Sequence, residues 1–114
     1  LCNLSWYSEG VGLVQGCNQM ICMNIILTVK EERDIWVVSD LLCEAMRKSR
    51  NESGCERFDV YHSQSETNRF TMIEHWSSQE ALDAHRQAEA YTTIYKPQVI
   101  PLVERVGHPV TLLG

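Results

Sequence analysis

The stretch NRFTMIEHWSSQEALDAHR, Asn68 to Arg86, joins a strand to a helix through a pair of serines. Phe70, Met72, Glu74 and Trp76 alternate with Thr71, Ile73 and His75, the period of two that gives a strand two different faces. Ser77 is followed three residues later by Glu80, which predicts a capping box in which each side chain satisfies a backbone N–H left free by the first helical turn. Leu82 and His85 lie three apart and share the buried side of that helix, while Glu80, Asp83, Arg86 and Gln87 suit water. A glutamate and a tryptophan on one strand face, with a histidine from the next helix beside them, can line a pocket.

Working outward, ICMNIILTV at Ile21 to Val29 is apolar and β-branched and predicts a buried strand. Its one strongly polar residue, Asn24, is either an amide bonded to backbone at a strand edge or a pocket amide. Between Arg33 and Arg50, Ile35, Val38, Leu41, Leu42, Ala45 and Met46 recur at threes and fours, the mark of an amphipathic helix. Asn51, Ser53 and Gly54 end it, with Gly54 able to take a left-handed turn, and Cys55 follows as a small buried filler. Arg57 to Ser63 predicts a second strand with Phe58, Val60 and His62 on one face and Asp59 and Tyr61 on the other. The short polar segment Gln64 to Asn68 then predicts a hairpin, so these two strands pair antiparallel.

Past His85, the spacing of Tyr91, Ile94, Tyr95, Val99, Leu102 and Val103 predicts further helix from Ala90 to Glu104, kinked or restarted at Pro97 and Pro101. Val106 to Leu113 predicts a last strand, with His108-Pro109 near its beginning. The order strand, helix, strand, strand, helix, strand is an α+β, ferredoxin-like βαββαβ arrangement: an antiparallel four-stranded sheet with helices on one face. The uncovered face keeps apolar side chains without a partner in the chain, which predicts a homodimer, with His75 directed at the interface.

The 114 residues suit one domain and carry a formal charge of -5 with scattered basic residues, which argues against nucleic acid as a partner. No apolar run is long enough to span a membrane. Five cysteines at irregular spacing, without a Cys-x-x-Cys pair, point to reduced thiols in a cytoplasmic protein and to no zinc site. Residues 1–19, with three glycines and no sustained period, form a separate arm ahead of a domain at 20–114. That arm either packs on a neighbouring subunit or precedes a natural start near Met20 or Met23. The apolar patch at Val11 to Val14 lacks the basic region of a secretory signal.

Several pieces of the chain resemble the antibiotic biosynthesis monooxygenase domain of dimeric α+β barrel proteins. They are TVK at Thr28 to Lys30, SGC at Ser53 to Cys55, RFDV at Arg57 to Val60, NRF at Asn68 to Phe70, EHW at Glu74 to Trp76 and EALDAH at Glu80 to His85. The resemblance covers roughly Ile21 to Leu113. It implies two protomers whose sheets close into a barrel, with a pocket in each between sheet and helices. Members include cofactor-independent oxygenases of anthrones and hydroquinones, haem-degrading enzymes and an isomerase of a phosphorylated autoinducer.

The haem-degrading branch carries an asparagine on the first strand, a tryptophan on the second helix and a histidine about ten residues on. Those places fall here on Ile25, His85 and Tyr95, which disfavours haem degradation. For the oxygenase branch no cofactor is implied. His85 is the candidate base or proton shuttle, Tyr95 and Tyr91 candidate hydrogen-bond donors to a substrate oxygen, and Trp76 and Phe70 the aromatic wall. Glu74, inward beside Trp76, predicts a buried carboxylate that needs a partner, an arginine or histidine before a catalytic role; His85 alternatively bridges to Glu89 at helical spacing. An isomerase would instead need a phosphate site from Arg57, Arg69, Arg86 and Lys96, dispersed in the sequence. A ligand-binding dimer without turnover is the remaining alternative.

Overall fold

The computed structural model describes residues 20–114; the arm expected at 1–19 lies outside the described residues. Strand β1 (Ile21–Val29) leads through a short 3-10 turn (Glu32–Asp34) into helix α1 (Ile35–Ser49). Strands β2 (Cys55–His62) and β3 (Arg69–Trp76) follow, then helix α2 (Gln79–His85), helix α3 (Ala90–Val99), a 3-10 turn (Ile100–Leu102) and strand β4 (Val103–Val110). All pairings are antiparallel and the sheet order is β2-β3-β1-β4. This is the ferredoxin-like arrangement, with the helices on one face of the sheet.

The alternation on β3 sets the layers. Phe70, Met72, Glu74 and Trp76 are all buried under the helices, and the residues between them are only half-buried on the other face. β1 brings Ile25, Leu27 and Val29 to the same inner side. From above, α1 lays down Ile35, Val38, Leu42 and Ala45, a buried stripe at spacings of three and four. Ser49 continues that stripe, fully buried, where an apolar residue would ordinarily stand.

Gly54 takes the left-handed turn with φ of +82°, and its carbonyl accepts from Ser77 N at 2.8 Å. That bond ties Ser77 to the turn before β2, so α2 starts one residue later than the capping box implies. Ser78 is the N-cap, its Oγ accepting from Ala81 N at 3.1 Å, and Glu80 makes no reciprocal bond. A Cβ on Gly54 would come within 2.5 Å of Ala81 Cβ. Gly54→Ala therefore combines strain at positive φ with a clash, and a loss of about 2 kcal/mol is expected in urea unfolding.

Two boundaries differ from the expected ones at the C-terminal end. α3 is wound as a π-helix, closed by Ile100 N donating to Tyr95 O. Pro97 lies inside it without an N–H to donate, and the Gln98 side chain donates from Nε2 to Thr93 O at 2.9 Å. Pro101 then stops the helix, so Val103 and Glu104 belong to β4 and not to a helix. Val103 is buried opposite Val29, an anchor that sets the register, and His108 falls near the end of the strand instead of its beginning. β2 similarly begins two residues earlier than expected, at Cys55, with a bulge between Cys55 and Arg57.

Candidate active site

The end of β3, the end of α2 and the first turns of α3 meet over the inner face of the sheet. Trp76, fully buried, donates from Nε1 to Glu74 Oε1 at 3.0 Å, two residues back on the same face of the strand. The expected arginine or histidine partner of Glu74 is thus an indole. His85 lies against Trp76 with ring centroids 4.5 Å apart, and Phe58 and Tyr91 approach its ring at 5.8 and 5.6 Å. Tyr91 in turn touches Tyr95, at 5.4 Å between centroids. The sequence distance between His85 and Tyr95 is bridged by Tyr91 across the turn that separates α2 from α3.

Glu52, in the turn after α1, fixes the imidazole. His85 Nδ1 lies 2.7 Å from Glu52 Oε1, so the alternative bridge to Glu89 is not formed; Glu89 pairs with Lys48. A carboxylate only accepts, so the proton of the neutral ring sits on Nδ1 and leaves Nε2 with its lone pair. Among the described residues Nε2 makes no hydrogen bond.

Several of these groups border one cavity, whose lining includes Met23, Ile25, Ser49, Glu74, His85, Arg86, Tyr91, Tyr95 and Arg105. The cavity volume is about 20 Å³. That is room for one water, so a ring enters only as the mouth side chains part. Trp76 does not reach the cavity itself but backs His85 and Glu74. Phe70 stands apart, in the core and stacked on His62 at 4.2 Å, and forms no wall of this space.

Burial raises Glu74 above the ordinary carboxylate range, opposed by the Trp76 bond and by the charges of Arg105 and Arg86. A raised folded-state value means that the folded protein holds this proton more tightly than the unfolded chain. The associated stability is complete below the unfolded carboxylate value and is lost as pH rises through the folded one. Glu74→Gln keeps an acceptor for the indole and removes the charge. It is expected to stabilise the fold on the order of 1 kcal/mol at pH 8, with the advantage shrinking toward pH 4, in thermal melts across that range.

Tyr95 is pushed up to about 12, by burial against the pull of Arg105, so it remains a neutral phenol. Its oxygen accepts from Arg105 Nε at 2.9 Å, which leaves the hydroxyl proton for another acceptor. The arrangement offers a base nitrogen, a neutral phenol donor and a carboxyl biased toward its acid form around one narrow, largely apolar space.

A family model described as antibiotic biosynthesis monooxygenase matches residues 20–97. The chain belongs to this monooxygenase family.

Solved structures agree. A Bacteroides thetaiotaomicron protein of unknown function, described as a possible oxidoreductase, has a TM-score of 0.76 at 24% identity, covering 82% of this chain and 98% of that one. A structure described as an antibiotic biosynthesis monooxygenase gives 0.72 at 23% identity, covering 82% and 99%. A Shewanella oneidensis protein gives 0.68 at 26% identity, covering 82% and 93%. Likeness at 23 and 24% identity establishes the fold. No curated protein matches the chain.

Within the family fold, the structure brings four of the expected site residues to the cavity, His85, Tyr95, Tyr91 and Glu74. Ile25 faces it from β1, and Asn24, one residue out of phase, pairs with His108 on β4. Of the four dispersed cations only Arg86 borders the space; Arg57 is held by Asp59 and Arg69 by Glu66. Glu52, Ser49 and Arg105 were not legible as site residues. Ser49 carried one faint signal, a polar residue in phase with an apolar stripe.

Proposed function

We propose that this protein is a cofactor-independent monooxygenase that oxidises a quinol or polycyclic phenol with O₂, acting as a cytoplasmic homodimer. The observation that carries this reading is the imidazole held by Glu52 with its free nitrogen unbonded, in a cavity that also offers the neutral hydroxyl of Tyr95. Nε2 takes the proton of a bound phenol, and the phenolate gives an electron to O₂ inside a space that excludes bulk water. Recombination of the radical pair forms a C–O bond, and loss of water breaks the O–O bond. A hydroquinone and O₂ thus yield a hydroxyquinone and one water, four electrons passing from the ring to O₂. Tyr95 donates to the oxygen on which negative charge grows.

The sheet face opposite the helices supports the dimer. There Tyr61 and Val106 are about half exposed, at 53 and 51%, and Val110 is 39% exposed, flanking half-buried Ile26 and Ile73. Ile26 lies beside Val106 on this face, and apolar side chains exposed there favour burial against a second copy. Among the described residues no helix is long and apolar enough to cross a membrane.

The test is oxygen uptake by the purified protein with a panel of hydroquinones and anthrones, without added metal, flavin or nicotinamide. Stoichiometric uptake with release of the hydroxylated quinone is expected for at least one member. Rates equal to buffer across the panel would leave the non-catalytic binding dimer as the better account.

A further inference from the structure

The cavity holds two guanidinium groups in a chain whose net charge is -5. Arg86 enters from the end of α2 and Arg105 from β4. Arg105 occupies an inward register position, opposite fully buried Leu27, where a sheet covered by helices ordinarily carries an apolar residue. Its bond to Tyr95 Oη holds the stem, and a Cβ on Gly107, next inward on the strand, would come within 3.0 Å of Nη1 and 3.2 Å of Nη2. The absence of a side chain at Gly107 therefore makes room for this guanidinium, whose terminal nitrogens stay available for another partner.

The other cations close to β2 and β3 are neutralised: Arg50 and Arg57 share Asp59, and Arg69 takes Glu66. Among the described residues neither Arg86 nor Arg105 has a carboxylate within ion-pair distance. The one carboxyl bordering the cavity, Glu74, spends an oxygen on Trp76. At the buried side of the same space Ser49 Oγ has no hydrogen-bond partner among the described residues. A buried hydroxyl without a partner is costly, and it is the kind of group a ligand oxygen satisfies.

We propose that the substrate is acidic: a phenolic ring carrying an oxyanion that Arg86 and Arg105 clasp at the mouth, with a ring oxygen reaching Ser49 at the inner end. This rests on the reading of the cavity as a substrate site but not on turnover. Both arginines are exposed residues on long side chains, so they can part to admit a ring and close on its acid group.

The test is equilibrium binding under nitrogen, by calorimetry, of gentisate against hydroquinone and of phenyl phosphate against phenol. At least one acid is expected to bind about tenfold or more tightly than its neutral counterpart, and preference for carboxylate or phosphate identifies the oxyanion. Arg86→Met and Arg105→Met should each reduce that acid-to-neutral ratio several-fold. Using the ratio removes any general effect of a variant on folding, and Arg86 is exposed enough to replace safely. Acids binding no better than neutral rings, or ratios unmoved by both variants, would overturn the proposal. Because no oxygen is present, failure of the oxygenase reading leaves this result intact, and the converse also holds.

Discussion

Trp76→Ala is expected to lower the unfolding free energy by about 4 kcal/mol, more than any other single change in the site. The indole is fully buried, in contact with Phe58 and His85, on the strand that pairs with both β1 and β2. Truncation leaves a cavity and also strips Glu74 Oε1 of its indole donor. The second loss matters separately, because a buried carboxyl without its hydrogen bond costs more than the bond contributes. Trp76→Phe keeps most of the ring and loses only the N–H, so a smaller penalty of about 1 to 2 kcal/mol is expected. Urea unfolding of both variants separates packing from hydrogen bonding. Equal losses would mean that the Glu74 bond carries the effect and the ring little.

His85→Ala is expected to reduce the oxygenase rate at least about a hundredfold, the ordinary worth of a positioned base. Added imidazole should restore part of it, since the vacated space lies beside the cavity and Glu52 can orient a free ring. Glu52→Gln should slow the rate by a smaller factor, because its amide can present an N–H to Nδ1 and favour the other tautomer. Circular dichroism melts of each variant distinguish a lost base from a lost fold. A His85→Ala enzyme with full rate and an intact melt would remove the imidazole from the mechanism.

The sheet, its pairing and the inner face of β3 were legible because strand alternation and a short hairpin leave little freedom. Phe70, Met72, Glu74 and Trp76 could face only one way together. The single-residue error at Ser77 had a tertiary cause, since Gly54 O claims its N–H from another part of the chain. The π-wound α3 was hidden as well: Pro97 announces a break in an α-helix, but not that the chain goes on in a wider winding on which the Gln98 side chain bonds Thr93 O. In the site, residues near one another in sequence were recognisable, and partners from afar were not. Glu52 lies thirty-three residues from His85, and nothing in its neighbourhood marks it as more than a turn residue. Arg105 looked like one of many scattered cations until register placed it opposite Leu27. Phe70 shares the face of Trp76 but not its end of the strand, which is why it packs on His62 and not on the cavity.

An anaerobic spectral titration bears most directly on the claim that His85 takes the proton of a bound phenol. Mixing the protein with a phenolic substrate at a pH where the free phenol is neutral should raise the red-shifted phenolate band in proportion to bound ligand, and His85→Ala should bind without it. Binding with no phenolate band in the wild type, or the same band in both proteins, would contradict the account.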